Sequence, residues 1–258
     1  MKTPPEIMIF ASREALSAAL SAHVAGIAEQ STREREAFFI ALSGGSLLEL
    51  VCAGLVSPPL RNDVDWARWH VFWADERCVP HASPESNYGA ADHLLFRQVG
   101  IPRHQIHPTD DTLGPAQAAK AYEFVLARVF SLWPGRVPRF DLVLLGIGED
   151  GHTASLFTGH PLLSETRRWV APVYDAPKPP PERVTLTLPV INNARHVVFV
   201  ALGESKAPAV VAAVSPSQND SLSPARQVYP TEGDVRWFLD VHAARGLTPA
   251  RVPTGARS

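Results

Sequence analysis

Apolar and polar positions along the chain change period several times, and each change marks an element. Glu6–Phe10 is a short run of β type. Ser12 stands where a helix N-cap is wanted. Apolar residues follow at Leu16, Ala19, Leu20, Val24 and Ile27, three and four apart, which predicts a helix over Arg13–Gln30. Ala37–Leu42 is apolar almost throughout and predicts a strand. Ser43-Gly44-Gly45-Ser46 breaks it, and helical spacing resumes over Leu47–Leu55. Trp69–Trp73 predicts a third strand, and Asn87–Val99 and Pro115–Leu132 read as helices. Phe140–Leu145 is the clearest buried strand. Trp169–Val173, Val184–Leu188 and His196–Leu202 complete the strands, and Ser205–Val214 reads as a helix.

Strands that are apolar on both faces and separated by helices are the pattern of a parallel sheet covered on both sides. The expectation is a single-domain α/β fold, a doubly wound, mostly parallel sheet with helices on both faces. The alternation is tight from residue 6 to residue 214 and leaves no room for a linker. Residues 1–247 are therefore expected to form one unit, with 248–258 as a flexible C-terminal tail. No internal repeat is visible. Prolines gather between elements, as in Ser57-Pro58-Pro59 and Ala176–Pro181, where a fixed φ shapes a loop without interrupting a ladder.

Composition narrows the function classes. There are 24 Lys and Arg against 26 Asp and Glu, a formal net charge of −2. A polyanion-binding protein carries a basic excess, so a dedicated nucleic-acid binder is not expected, although one local basic pocket is still allowed. Cys52 and Cys78 are the only cysteines, too few for a disulfide scaffold or a cysteine zinc site, and a reducing cytoplasmic setting is the simplest expectation. The first residues lack the apolar run of a signal peptide, and no window is apolar for the 18 or so residues of a membrane helix.

In an open α/β sheet, ligands bind beyond the carboxyl ends of the strands. Four such ends carry unusual residues. After Leu42 comes Ser43-Gly44-Gly45, a turn into a helix whose free N–H groups suit an anion; a tight turn with Ser46 as N-cap is the plain alternative. After Trp73 comes Asp75-Glu76-Arg77, a sharp exit from the core in which Arg77 either clamps phosphate or makes a surface ion pair. After Leu145 comes Gly146-Ile147-Gly148-Glu149-Asp150-Gly151-His152. This matches the dinucleotide fingerprint in its glycines, but Thr158-Gly159-His160-Pro161 cuts off the crossover helix the fingerprint needs. The Asp150–His152 turn suits a catalytic base better, the histidine titrating near neutrality and the carboxylate orienting it, with a helix-capping histidine as the alternative. After Leu202 comes Gly203-Glu204-Ser205-Lys206, a lysine in the first turn of a helix, where the dipole disfavours a cation unless Glu204 or a bound phosphate compensates. His104 and His107 are too close to Pro102 and Pro108 for a helical metal pair, and Trp66, Trp69 and Trp73 read as core.

Six ordered blocks at fitting spacing resemble the 6-phosphogluconolactonase family: Leu42–Ser46, Trp73–Pro80, Glu85–Gly89, Leu144–Phe157, Pro177–Pro189 and Gly203–Ala207. Thr158-Gly159 departs from a proline common there, in a loop. The resemblance implies a sugar-phosphate isomerase-like fold and hydrolysis of 6-phospho-D-glucono-1,5-lactone to 6-phosphogluconate. It implies no metal or organic cofactor. His152 becomes the expected base with Asp150 beside it. Ser43, Gly44, Gly45, Arg77 and Lys206 become phosphate and substrate contacts, and Asp75, Asn87 and Arg183 contacts or supports for the sugar. The expected partner is a small sugar-phosphate lactone, with no nucleic acid or membrane, and the expected state a monomer or weak homo-oligomer. Two rivals stand beside it. A hexosamine-6-phosphate deaminase/isomerase would need an acid soon after the Asp-Gly-His turn, where this chain has none before Glu165. A non-catalytic sugar-phosphate sensor would not need His152 or Asp150.

Overall fold

The computed structural model describes residues 4–132, 136–215 and 223–247; the expected tail, 248–258, lies outside them. In chain order the strands are β1 (Glu6–Phe10), β2 (Phe38–Leu42), β3 (Trp69–Trp73), β4 (Asp75–Arg77), β5 (Leu142–Gly146), β6 (Val170–Val173), β7 (Arg183–Leu186), β8 (His196–Ala201) and β9 (Asp234–Asp240). The helices are α1 (Arg13–Arg35), α2 (Ser46–Leu55), α3 (Leu60–Asp63), α4 (Asn87–Ala91), α5 (Pro115–Val129), α6 (Leu188–Ile191), α7 (Ala207–Val214) and α8 (Pro224–Gln227). Six strands form one parallel sheet in the order β1-β9-β8-β5-β2-β3.

Side chains alternate across a strand, and both faces of this sheet are apolar. On one face Leu142, Leu144, Val198, Val200, Ile40 and Leu42 pack with Leu16, Leu20 and Val24 of α1 and Leu47, Leu48 and Val51 of α2. On the other face Val143, Leu145, Val197, Phe199, Ala41 and Phe72 pack with Ala118, Tyr122 and Leu126 of α5 and Val210 of α7. Each fully buried Leu, Val or Phe contributes about 1.5–3 kcal/mol. The two-faced burial is what gives Phe140–Leu145 its unbroken apolar run. Trp66, Trp69 and Trp73 are buried on the first face, as expected of core residues. Ser12 caps α1 by accepting from the Ala15 amide at 3.1 Å.

Three expectations need correction. Trp169–Val173 and Val184–Leu188 do not join the parallel sheet. As β6 and β7 they form a second, antiparallel sheet with β4, in the order β4-β7-β6. Asp75-Glu76-Arg77 is consequently a strand and no exit from the core, with Asp75 and Glu76 both buried. Ala74, fully buried, joins the two sheets: its amide donates to the Leu42 carbonyl at 2.8 Å and its carbonyl accepts from the Leu186 amide at 2.7 Å. Asp234–Asp240, which carries charges at positions 234, 236 and 240, is a full strand between β1 and β8. The predicted helix Asn87–Val99 is α4 followed by a π-helical turn over Asp92–Phe96.

Candidate active site

The carboxyl ends of β2, β3, β5 and β8 open onto one cavity of about 420 Å³. Its walls include Ser43, Gly44, Gly45, Asp75, Arg77, Asn87, His152, Arg183 and Lys206. All but one of the residues singled out from the sequence therefore meet in one place. The remaining residue, Asp150, touches the cavity through His152: its Oδ1 lies 2.5 Å from His152 Nδ1.

The turn after β5 builds that pair. The Gly148 amide donates to the His152 carbonyl at 2.8 Å, the Gly151 amide to the Gly148 carbonyl at 3.0 Å, and Thr153 Oγ1 to the Gly146 carbonyl at 2.9 Å. Gly151 has φ +79°, a left-handed conformation that glycine adopts without strain. Gly148 is needed for space, because a Cβ there would lie 2.0 Å from His152 Nδ1 and 2.4 Å from Asp150 Oδ1. No helix follows the turn, so the dinucleotide pattern and the helix-capping histidine both lack their element. Partial burial works against ionisation of Asp150, but the hydrogen bond and charge of His152 prevail and hold its carboxyl below the usual aspartate range. An ionised carboxylate only accepts, so the geometry suits a proton on His152 Nδ1, and in the neutral ring Nε2 then keeps the lone pair a base needs.

The glycine turn after β2 leads into α2, whose N-cap is Gly45 at φ +74° with no side-chain cap; Ser46 is the first helical residue. Ser43 Oγ is buried and has no hydrogen-bond partner. Gly44 makes room for Asn87, whose Oδ1 would be 1.8 Å from a Cβ at that position. Asn87 Nδ2 donates to the Asp75 carbonyl at 2.8 Å. Glu76 fixes this corner: its carboxylate accepts from the amides of Arg77, Asn87 and Tyr88 at 2.8, 2.8 and 2.7 Å. Burial pushes its pKa up against those three bonds.

The cations come from separate elements. Of the two contacts expected for Arg77, the structure shows the ion pair, and the side chain also borders the cavity. Its NH1 donates to the Glu85 carbonyl at 2.6 Å with the Glu85 carboxylate 3.8 Å away. Arg183 is directly opposite Arg77 in the β4–β7 ladder. Lys206 precedes α7, and Glu204, the local anion that could have balanced it, is paired with Arg245 instead. The walls also include Phe157 and Lys178, which the sequence reading did not single out. Lys178 belongs to the Ala176–Pro181 run, whose joint position gave a signal of shape but none of chemistry.

A six-stranded parallel sheet with a His–Asp pair and basic residues around a cavity at its carboxyl edge fits the sugar-phosphate isomerase-like class. The chain belongs to the family of glucosamine-6-phosphate isomerases and 6-phosphogluconolactonases, whose model matches residues 11–237. It is 46% identical over 252 residues to "Probable 6-phosphogluconolactonase 1" of Arabidopsis thaliana, covering 94% of this chain and 93% of that protein. It is 42% identical over 250 residues to "Probable 6-phosphogluconolactonase 4, chloroplastic" of Oryza sativa subsp. indica, covering 94% and 76%. Among solved structures, 6-phosphogluconolactonase from Trypanosoma cruzi superposes with a TM-score of 0.85 at 32% identity, covering 96% of this chain and 98% of that one. A monomeric glucosamine-6-phosphate deaminase shares the fold, with a TM-score of 0.74 at 18% identity.

Proposed function

We propose that the protein hydrolyses 6-phospho-D-glucono-1,5-lactone to 6-phospho-D-gluconate, with His152 as general base. The observation that carries this reading is the Asp150–His152 pair facing a cavity whose other walls offer Ser43, the N-terminus of α2 and Lys206 to a phosphate. The phosphate is held by these groups and the sugar by Asp75, Asn87 and Arg77, which positions the lactone ring for attack. His152 Nε2 takes a proton from water as the water oxygen bonds to C1, and the carbonyl electron pair moves onto its oxygen. Collapse restores the carbonyl and breaks the bond from C1 to the ring oxygen, which receives the proton back from His152. A base working near its pKa contributes about 10²–10⁴-fold.

A deaminase/isomerase reading lacks its acid. Glu165, the first acid after the turn, lies outside the cavity and accepts from Arg168 Nε at 2.6 Å. A sensor would have no use for an oriented base. The test is hydrolysis of fresh lactone measured against its spontaneous decay, beside glucosamine 6-phosphate. Acceleration of the first with no turnover of the second is expected; turnover of the second alone would reject the assignment.

Both cysteines are free thiols, which fits a reducing compartment. No helix among the described residues is long and apolar enough to cross a membrane.

A further inference from the structure

Arg183 is 5% exposed, yet its hydrogen-bond partners are all neutral oxygens. Nε donates to the Pro180 carbonyl at 3.0 Å, NH2 to the Lys178 carbonyl at 2.7 Å, and NH1 reaches Ser155 Oγ at 3.5 Å. A guanidinium has five N–H bonds, so two remain. The nearest acid, Asp75, is reached only through Ser155, whose hydroxyl donates to Asp75 Oδ2 at 2.9 Å. Across the ladder stands a second cation, Arg77, whose Nε is buried without a partner. Like charges directly opposite one another destabilise a sheet. Burial and Arg77 both work against the charge on Arg183, and Asp75 works for it. A buried cation arranged in this way calls for an anion that arrives from outside.

Two anions are available in the reaction, the phosphate and the oxygen at C1 that becomes charged after attack. Position decides between them. The Arg183 guanidinium lies over the Phe157 ring, 5.7 Å from its centroid, and the His152 ring packs on the same Phe157 at 5.0 Å. Arg183 and the base thus pack on one and the same ring. Ser43, Gly45 and Lys206 sit at other elements, just after β2 and just before α2 and α7. The geometry points to Arg183 as a further catalytic residue, which stabilises the oxyanion at C1 during hydrolysis and then faces the product carboxylate. The carbonyls of Lys178 and Pro180 aim the guanidinium in advance, so little reorganisation is left for the moment of attack. This inference rests on the lactonase reading of the cavity.

The experiment compares two phosphorylated ligands that differ at C1, 6-phosphogluconate with its carboxylate and glucitol 6-phosphate with a neutral hydroxymethyl. Affinities are measured by calorimetry for the wild type, Arg183→Gln, Arg183→Lys and Lys206→Ala. Arg183→Gln is expected to weaken 6-phosphogluconate at least about tenfold and leave glucitol 6-phosphate within about threefold. Its kcat should fall about 10²–10³-fold, the loss typical of one oxyanion donor. Arg183→Lys, which keeps the charge without the fork, should fall between the two. Lys206→Ala should weaken both ligands. Equal weakening of both ligands by Arg183→Gln, or a raised KM at unchanged kcat, would make Arg183 a phosphate contact and overturn the inference. Retained glucitol 6-phosphate binding reports a folded cavity; if Arg183→Gln fails that control, Arg183→Lys carries the same comparison. A wild type without lactonase activity that still prefers the carboxylate ligand would remove the lactonase reading and the oxyanion role together, leaving only an anion site at Arg183.

Discussion

Adding one methyl group at Gly148 offers a sharp test of the Asp150–His152 pair. A Cβ there would lie 2.0 Å from His152 Nδ1, 2.2 Å from Cε1 and 2.4 Å from Asp150 Oδ1. An ordinary contact is about 3.4 Å, so the imidazole must retreat by about 1.4 Å and the carboxylate by about 1 Å. Gly148 has no left-handed φ, so alanine meets no backbone strain there. The cost therefore falls on the geometry of the pair. A misplacement of about 1 Å in a catalytic group costs about 10²-fold, or about 2.7 kcal/mol of barrier. Gly148→Ala is expected to lower kcat by that factor, with KM within a few-fold and the melting temperature within about 3 °C of wild type. The assay follows acid release from fresh lactone under saturation, with the spontaneous rate subtracted. A kcat within threefold of wild type would refute the reasoning, because the pair would then tolerate displacement.

Other outcomes follow from the same structure. Asp150→Asn should lower kcat about 10²-fold or more, with glucitol 6-phosphate affinity unchanged, since the asparagine no longer enforces the proton on His152 Nδ1; unchanged kcat in a pH-rate profile would exclude it. Lys206→Ala should raise KM for the phosphorylated lactone about 10–100-fold, the worth of a hydrogen bond to a charged group, and equal turnover of the unphosphorylated lactone by the wild type would contradict a phosphate contact. Gly26, exposed in the middle of α1 with nothing within 4 Å of a Cβ, should gain about 0.5–1 kcal/mol on replacement by alanine, read as a higher urea midpoint. His23 and His107 are held at about 4, below their ordinary 6.5, first by burial and then by neighbouring cationic groups. Both are neutral in the folded state, so their contribution is fully present above pH 6.5 and is lost as pH falls from 6.5 towards 4. A urea midpoint that stayed level from pH 7.5 to pH 4.5 would contradict this.

The parallel sheet was legible because a strand buried on both faces must be apolar throughout, as Leu142–Gly146 and His196–Ala201 are. The smaller sheet was not, because charged residues mask its first strand. Asp75 is buried on the hydroxyl of Ser155 and Glu76 on three backbone amides, partners that lie far along the chain or in its backbone. Asp234–Asp240 was masked in the same way by Asp234, Arg236 and Asp240. The turns of the site were legible because strand end, glycines and polar residue are contiguous at Ser43–Gly45 and Gly148–His152. The meeting of Arg183, Phe157 and His152 was not, since it needs the second sheet folded over the first.

Ala74 is the residue that both sheets share. On one side of it the chain runs in the sheet that supplies His152, the glycine turn and Lys206; on the other it begins the strand that carries Arg77 and pairs with Arg183. The joint is one residue with a fully buried methyl group, whose backbone amide bonds to one sheet and whose carbonyl bonds to the other. The two halves of the cavity thus meet at one peptide unit, like the pin of a caliper. A larger side chain has no open space to enter at that joint, so its effect would reach the cavity from a residue that does not line it.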